Sequence, residues 1–332
     1  MMKAVPSSYN NYLVVFSKVK AEKLPPYHAC DHHIELEGSL PIVGVIYSLS
    51  NQESDTLRAY ISENVNRAFI RSSCSSPGEP VLSGKKKDVG LCLCVDYCKL
   101  NAVTMKEKYH VLPMNQLLTV FNSSSISSNI YLCGAYNLLR IKKYDVIFTA
   151  FRPKYYSYEY LVIPFGLTNA PASFQNLDSD ILSELLDFYV SVYLDDIMLF
   201  PRLTKSIPHV STVPSRLRSN NPFSKASKRL FHVSSVEYLG YVFSSGGLMM
   251  YQEEVKQIFN WTPPRNLKAV KSSLGFANYY SCFINNSSKT ISPLTKFLKK
   301  YSCFPLNEDT LKKLKKVKEA FTTAPILLYP PL

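Results

Sequence analysis

The 332-residue chain has little of several features that mark specialised protein classes. It holds only 11 glycines against 21 prolines, which excludes a collagen-like or glycine-rich linker protein. No run of about 18 apolar residues is free of charge, so the sequence predicts no membrane-spanning helix and no membrane partner. Residues 1–7 lack the apolar stretch of a secretory leader, so we expect an intracellular protein with reduced cysteines.

Aromatic and basic residues are plentiful instead. The chain holds 23 Tyr and 18 Phe, and 46% of its residues are apolar, which excludes a disordered tail protein. This is enough apolar material for one large unit or for two to three subdomains. Lys and Arg number 38 against 25 Asp and Glu, a net charge of +13. The balance favours a polyanionic partner such as nucleic acid, although many basic proteins bind none.

The apolar patterns predict helices alternating with antiparallel strands, which is typical of an α+β domain. A helix is predicted over Ala172–Leu186, where apolar residues recur on one face. Further helices are predicted from about residue 252 and, as a basic amphipathic helix, at residues 311–320. Strands are predicted at Leu91–Tyr97, Ile130–Leu132, Val146–Phe151, Tyr158–Ile163 and Val236–Phe243.

Two adjacent carboxylates, Asp195 and Asp196, separate two short apolar runs. This pattern predicts a β-hairpin with a two-residue acidic turn. Paired carboxylates at a hairpin tip are costly because like charges repel at close range, and a divalent cation would relieve that cost. Taken alone, the pattern also fits a solvated Asp-Asp turn.

The surrounding motifs favour the metal-binding interpretation, because in order and type they resemble the reverse transcriptases of Ty3/gypsy-type LTR retrotransposons. The resemblance runs from about residue 10 to the end of the chain. The matching motifs are Val81-Leu82 with Lys85-Lys86-Lys87-Asp88, Cys94-Val95-Asp96-Tyr97 with Lys99-Leu100-Asn101, Gly134–Leu138, Thr149-Ala150-Phe151, Tyr160–Pro171, Tyr193-Leu194-Asp195-Asp196, Val236–Tyr241 and Leu274–Tyr280.

The resemblance implies an α+β, right-hand polymerase fold with fingers, a ferredoxin-like palm and a thumb. We expect an N-terminal extension and the start of the fingers at residues 1–80, fingers and palm at 81–245, a thumb-like helical region at 246–300, and at 301–332 the start of a connection to an RNase H domain that is absent here. The implied activity is RNA-directed DNA polymerisation with two Mg²⁺ or Mn²⁺ ions. The implied partners are an RNA or DNA template with its primer, dNTPs and other parts of a Gag-Pol polyprotein. The implied location is cytoplasmic, in virus-like particles.

The resemblance also assigns roles to individual residues. Asp195 would bind metal, with Asp196 as its supporting neighbour. Tyr136 matches the ring that excludes a ribose 2′-hydroxyl, and an ordinary core ring is its alternative. The remaining matches are Lys86 and the main chain of Gly134 and Ala135 on the triphosphate, Gly166 and Gln175 beneath template and nucleotide, Lys228 as a proton donor to pyrophosphate, and Leu239 with Gly240 at the primer grip. Lys86 and Lys228 also fit plain surface lysines.

The sequence departs from the family at its first catalytic aspartate, a position that Tyr131 occupies here. A phenol has a pKa of about 10, so it stays neutral near pH 7 and gives Mg²⁺ no charged oxygen. A loss of ~4 kcal/mol of transition-state stabilisation slows a reaction about a thousand-fold. We therefore expect weak or absent polymerase activity. The alternatives are a working polymerase, a non-catalytic nucleic-acid-binding relic and a pseudogene product without a stable fold.

Three cysteines stand where the family has arginine. Cys92 replaces the triphosphate-binding arginine, and Cys98 and Cys133 replace two others, so the charge and the bidentate fork are lost. The spacing of Cys92, Cys94 and Cys98 also predicts three possible metal ligands on one face of a strand. No fourth ligand lies near in the sequence, so we expect no zinc site. Two prolines, at 208 and 214, are expected to break the helix that follows the acidic turn.

Overall fold

The computed structural model describes most of the chain, in segments. These are residues 22–39, 46–75, 78–85, 91–107, 127–132, 135–154, 156–186, 190–199, 212–213, 215–216, 230–244, 246–264, 266–295, 308–323 and 326–327. The chain divides into two compact units, Met1–Pro113 with Ser128–Phe231, and Met114–Ser127 with His232–Leu332. The domain borders expected at residues 80, 245 and 300 stay predictions.

The described elements mix helices and strands, which confirms the α+β class. The helices are α1 (Asn51–Asn66), α2 (Cys98–Val103), α3 (Ala170–Leu182), α4 (Gln252–Phe259), α5 (Leu267–Tyr279), α6 (Ser287–Thr295) and α7 (Glu308–Thr322). The strands are β1 (Ile70–Ser72), β2 (Glu79–Lys85), β3 (Leu91–Val95), β4 (Ser127–Tyr131), β5 (Phe151–Arg152), β6 (Tyr158–Tyr160), β7 (Val190–Tyr193), β8 (Asp196–Leu199), β9 (Leu230–Val233), β10 (Ser235–Tyr238), β11 (Tyr241–Ser244) and β12 (Gly247–Met250). No described helix is long and apolar enough to cross a membrane.

A five-stranded sheet in the first unit has the order β1-β6-β5-β2-β3. Its pairs are antiparallel except β2 with β5, which run parallel. Helix α1 begins at a capping box, in which the Ser50 hydroxyl accepts from the Glu53 amide and the Glu53 carboxylate accepts from the Ser50 amide. One Leu of α1, Leu57, is buried in the core beneath this sheet.

A four-stranded sheet of order β7-β8-β4-β9 carries the acidic hairpin. Strand β8 lies between β7 and β4 and pairs antiparallel with both. Its core side chain Ile197 and the β4 residue Ile130 are fully buried, and helix α3 covers the sheet with Phe174, also fully buried. The predicted apolar face is confirmed for Phe174, Leu177 and Ile181, which all lie in this core. The helix itself begins at Ala170 and ends at Leu182, so the predicted end at Leu186 is four residues too late.

The start of α3 is held by an N-terminal segment of the same unit. The ring Nδ1 of His32 shares a hydrogen bond of 2.7 Å with the Ser173 hydroxyl in the first turns of the helix. His32 is 2% exposed, and this burial lowers its pKa to about 4, against the opposing charge of Asp145. The next residue, His33, contacts the Asp145 carboxylate at 2.6 Å. Helix α3 is therefore anchored at its N-terminal end by a neutral, buried imidazole.

The second unit contains an antiparallel meander, β10-β11-β12, followed by helices. Helix α7 packs against α4 and α6, and α5 packs against α6. The basic amphipathic helix predicted at residues 311–320 is confirmed, since Leu314 and Val317 are buried while Lys315 and Lys316 are exposed.

Two predicted strands take another form. Residues Val146–Thr149 form a 3-10 turn, because the Thr149 hydroxyl donates to the Val146 carbonyl at 2.7 Å and accepts from the Tyr160 amide at 2.9 Å. These bonds satisfy the Val146 carbonyl and the Tyr160 amide without a strand ladder. The run Val236–Phe243 is a hairpin rather than one strand, since Leu239 and Gly240 both have positive φ and reverse the chain.

Candidate active site

The acidic hairpin is built by β7 and β8, with Tyr193 paired to Asp196. The two-residue turn is therefore Leu194-Asp195, and the prediction that both aspartates form the turn is wrong by one position. Asp196 is the first residue of β8, and both carboxylates are half-buried. The turn begins with Leu194 at φ 51°, a left-handed conformation that branched L-residues rarely adopt. The hairpin thus presents adjacent carboxylates on a conformationally strained tip.

Tyr131 is the last residue of β4 and lies opposite Asp196 in the ladder. Its neighbour Leu132 extends the contact, because the Leu132 amide donates to the Asp195 carbonyl at 2.8 Å. The half-buried Tyr131 thus occupies the register position facing the acidic turn, where the resemblance places a carboxylate. The structure brings Tyr131, Asp195 and Asp196 together. The side chain at position 131 is a phenol, which carries no charge near pH 7.

Tyr136 lies on the 3-10 turn Ala135–Leu138 and packs on two aromatic rings. Its ring centroid is 5.2 Å from that of Phe165 and 6.0 Å from that of Phe174, in edge-to-face geometry. Burial raises the pKa of Tyr136, and the charge of Asp195 raises it further. The ring is therefore half-buried within electrostatic reach of the acidic hairpin, which suits both a nucleotide-facing ring and a core ring.

Gly166 lies in the loop before α3, and its backbone requires glycine. Its φ is +107°, and a Cβ would lie 3.3 Å from the Val95 carbonyl and 3.4 Å from the Tyr97 ring. The Asn101 amide fixes the loop, donating to the Gly166 carbonyl at 2.7 Å and accepting from the Thr168 amide at 2.8 Å. The motifs around Asn101 and Gly166 are far apart in the sequence, and these two hydrogen bonds join them in the folded chain.

Gln175, on α3, lies beneath the acidic hairpin and is 8% exposed. Its Nε2 donates to the Val192 carbonyl at 3.1 Å, and its Oε1 accepts from the Leu194 amide at 2.8 Å. The contacts shown for this side chain are therefore with the hairpin backbone. The prediction that Gln175 binds nucleotide stays a prediction.

Asp178 lies one turn further along α3 and is fully buried. Neither carboxylate oxygen finds a hydrogen-bond partner among the described residues. Burial raises the pKa of Asp178 well above its usual range, and the charge of Asp195 adds to the shift. Sequence reasoning missed this residue, although it interrupts the apolar helical face of Phe174, Leu177 and Ile181, where a carboxylate is unexpected.

The carboxylates present do not fit the two-metal centre that the resemblance implies. Within the described segments, no group of three or more His, Cys, Asp or Glu side chains could hold a metal ion. The hairpin supplies Asp195 and Asp196, while Tyr131 supplies no charge.

The candidate primer grip, Leu239-Gly240, belongs to the second unit. Leu239 has φ 51° and Gly240 has φ +75°. Two tyrosines hold the turn, with the Tyr279 hydroxyl donating to the Leu239 carbonyl at 2.8 Å and the Tyr280 hydroxyl to the Gly240 carbonyl at 3.2 Å. Sequence reasoning did not assign this role to the tyrosines, although both lie in the quoted motif Leu274–Tyr280.

Gly240→Ala is expected to destabilise the protein by about 1–3 kcal/mol. The new Cβ would be strained at φ +75° and would overlap the Tyr280 hydroxyl. The matched control is Gly275→Ala in helix α5, where nothing lies within 4 Å of a new Cβ, and we expect a gain of roughly 0.5–1 kcal/mol there. Thermal or urea unfolding measures both. Equal effects of the two substitutions would contradict the strained turn.

Several predicted site residues lie outside what the structure describes. These are Lys86, Gly134 and Lys228, together with Cys133, Pro208 and Pro214. The backbones of Cys92 and Ala135 are described, in β3 and in a 3-10 turn, without their side chains. The prediction that Cys92, Cys94 and Cys98 lie on one face of a strand is wrong, because β3 ends at Val95 and Cys98 begins helix α2.

Comparison with known proteins places this geometry in a family. Residues 85–243 match the family described as reverse transcriptase (RNA-dependent DNA polymerase). The Transposon Tf2-3 and Tf2-4 polyproteins of Schizosaccharomyces pombe are each 30% identical to the chain over 328 residues. These alignments cover 97% of this chain but 24% of each polyprotein, so the chain spans about a quarter of the length of these relatives.

Solved structures share the fold. A foamy viral protease-reverse transcriptase in complex with double-stranded DNA superposes with a TM-score of 0.84 at 20% identity, covering 98% of this chain and 68% of that one. A second, in complex with an RNA/DNA hybrid, gives 0.80 at 21% identity, covering 96% and 43%. The predicted right-hand polymerase fold is confirmed. The chain therefore contains a reverse transcriptase domain of the Ty3/gypsy retrotransposon type.

Proposed function

We propose that this chain binds a primer–template as a retrotransposon reverse transcriptase does, and that its own polymerase chemistry is weak or absent. The observation that carries the proposal is the ladder pair of Tyr131 with Asp196 at the tip of the acidic hairpin. The hairpin, the Gly166 loop and the packed Tyr136 ring are all present in the first unit. What is missing is the third negative charge.

The physical argument concerns charge at the reacting centre. A carboxylate at residue 131 would complete a three-carboxylate site with Asp195 and Asp196, and such oxygens are the preferred ligands of Mg²⁺. The Tyr131 phenol is neutral near pH 7 and much larger than a carboxylate. The native chain therefore holds divalent ions weakly, and the expected Mg²⁺ or Mn²⁺ pair does not form a productive centre.

The partners follow from the family and the charge. Foamy viral relatives are described in complex with double-stranded DNA and with an RNA/DNA hybrid. The net charge of +13 on this chain suits the same polyanions. We propose an RNA or DNA template with primer as the ligand, dNTPs as vestigial substrates, and other parts of a Gag-Pol polyprotein as neighbours. The proposed location is the cytoplasm, within virus-like particles.

Primer–template binding tests the proposal on the native chain. A fluorescent RNA/DNA primer–template should bind at low salt, with an affinity that falls steeply as salt rises, because binding releases counterions. Primer extension in Mg²⁺ or Mn²⁺ should be at or near background. A cooperative thermal transition of the purified chain would exclude a product without a stable fold. Failure to bind at low salt would overturn the binding proposal, and extension at the rate of an intact polymerase would overturn the impairment.

A further inference from the structure

The turn that carries Asp195 is held in a conformation that its own sequence disfavours. Leu194 has φ 51°, where an L-residue with a branched side chain is strained by about 1–3 kcal/mol. Such a conformation persists only where surrounding groups over-determine it. The carboxylate of Asp195 follows directly in the chain, so whatever holds Leu194 also sets the direction of Asp195.

The Gln175 amide meets this turn from helix α3. Its Oε1 accepts from the Leu194 amide at 2.8 Å, and its Nε2 donates to the Val192 carbonyl at 3.1 Å. One planar group therefore binds the backbone on both sides of Tyr193. On the opposite side, the Leu132 amide donates to the Asp195 carbonyl at 2.8 Å. The turn is braced from the helix and from β4.

These bonds matter because the Gln175 amide and the Val192 carbonyl lie largely out of solvent. Gln175 is 8% exposed and Val192 is 5% exposed, so the Val192 carbonyl has little access to bulk water, whereas Leu194 is half-buried. Removing the amide would leave the Leu194 N–H and the Val192 carbonyl without this partner. A relaxed turn, with Leu194 at negative φ, would then compete with the strained one.

We propose that Gln175 is a positioning residue, which holds the Leu194-Asp195 turn and acts on Asp195 through the Leu194 backbone rather than by touching nucleotide. This inference rests on the proposed function, because the turn matters only where Asp195 takes part in polymerisation. A positioning role differs from a general core role in its expected effect. Removing the Gln175 amide should speed amide exchange locally at Leu194 and should leave the rest of the hairpin folded.

Amide hydrogen exchange on the full-length chain tests the bracing directly. In Gln175→Met, which keeps the side-chain length without the amide, exchange at Leu194 should accelerate at least 10-fold while Ile197 in β8 stays within about 3-fold. The matched control is Asn176→Met, at an exposed position on the same helix, which should leave Leu194 unchanged. Unchanged exchange at Leu194 in Gln175→Met, or equal acceleration at Ile197, would overturn the proposal.

Gln175→Glu tests whether the two hydrogen bonds, and not the glutamine side chain as such, hold the Leu194 turn. A buried glutamic acid that keeps its proton can accept from the Leu194 amide and donate to the Val192 carbonyl. We expect Leu194 protection within about 3-fold of the native chain in this variant. Loss of protection as large as in Gln175→Met would show that the two bonds do not hold the turn.

The kinetic consequence is measured in the Tyr131→Asp background. There, Gln175→Met should lower kcat for primer extension at least 10-fold with KM for dNTP within about 2-fold. A raised KM with unchanged kcat would place the amide on the nucleotide and overturn the proposal. If the Tyr131→Asp protein extends no primer, Tyr131 is not the cause of the impairment, and hydrogen exchange still decides whether Gln175 holds the turn.

Discussion

Tyr131→Asp is expected to raise the rate of primer extension by about a hundred- to a thousand-fold over the native chain. The new carboxylate would face Asp196 across the β4–β8 ladder, beside Asp195. A difference of ~4 kcal/mol in transition-state stabilisation corresponds to about a thousand-fold in rate. Steady-state extension of an RNA-templated primer in Mg²⁺, with the native chain alongside, measures the change.

The control variant for this experiment is Tyr131→Phe, which keeps the ring and removes only the hydroxyl. It should match the native chain, because neither ring carries charge near pH 7. Adding Cys92→Arg to Tyr131→Asp restores the positive charge expected to bind the triphosphate. The double variant should therefore have a lower KM for dNTP than Tyr131→Asp alone. Equal extension by the native chain and Tyr131→Asp would contradict the impairment that Tyr131 is proposed to cause.

Metal binding gives the same variant a second measurement, independent of turnover. Three adjacent carboxylates repel one another, so Tyr131→Asp should melt below the native chain in EDTA. A ligand that binds only the folded state stabilises it, so millimolar Mg²⁺ or Mn²⁺ should raise the Tm of Tyr131→Asp more than that of the native chain. Identical shifts in both proteins would contradict the missing-carboxylate argument.

Asp178→Leu is expected to stabilise the protein by about 3 kcal/mol, or roughly 4 °C in Tm. The carboxyl group is fully buried, and both its oxygens lack a hydrogen-bond partner among the described residues. Its desolvation is therefore uncompensated, and an apolar side chain on this face of α3 would pack beside Phe174 and Leu177. Differential scanning calorimetry or urea unfolding measures the gain.

Two further substitutions control this result. Asp180→Leu removes an exposed carboxylate from the same helix and should change stability by no more than about 0.5 kcal/mol. Asp178→Ala removes the carboxyl without adding volume, so it should also stabilise if Leu proves too large for the site. Destabilisation by both Asp178 variants would show that the carboxyl has a partner in the native protein.

The strongest sequence predictions concerned local pattern. The helical spacing of Phe174, Leu177 and Ile181 places them on one face, and all three are buried. The apolar runs around the acidic pair predicted β7 and β8, but placed the turn at Asp195-Asp196, one position too late. The position of the turn depends on the ladder register, which pairs Tyr193 with Asp196 and leaves Leu194 and Asp195 between the strands. Register is a property of the pairing and not of either strand alone.

Predictions failed where a side chain replaced the expected backbone partner. The run Val146–Phe151 reads as a strand, yet the Thr149 hydroxyl satisfies backbone groups of Val146 and Tyr160 and the run begins as a 3-10 turn. The run Val236–Phe243 reads as one strand, yet two tyrosines of the second unit hold a reversal at Leu239-Gly240. Apolar periodicity carries no information about either bond.

The sequence by itself determined the family resemblance, the α+β class and the presence of tyrosine at residue 131, because these depend on residue types in order along the chain. Tertiary structure alone decided that Gln175 hydrogen-bonds the backbone of Val192 and Leu194 and that Asp178 is buried without a hydrogen-bond partner among the described residues. Both facts depend on which atoms folding brings within hydrogen-bond distance of helix α3. Gln175 and Leu194, for example, are 19 positions apart in the sequence. Hydrogen bonding and desolvation depend on such distant neighbours, which local sequence does not specify.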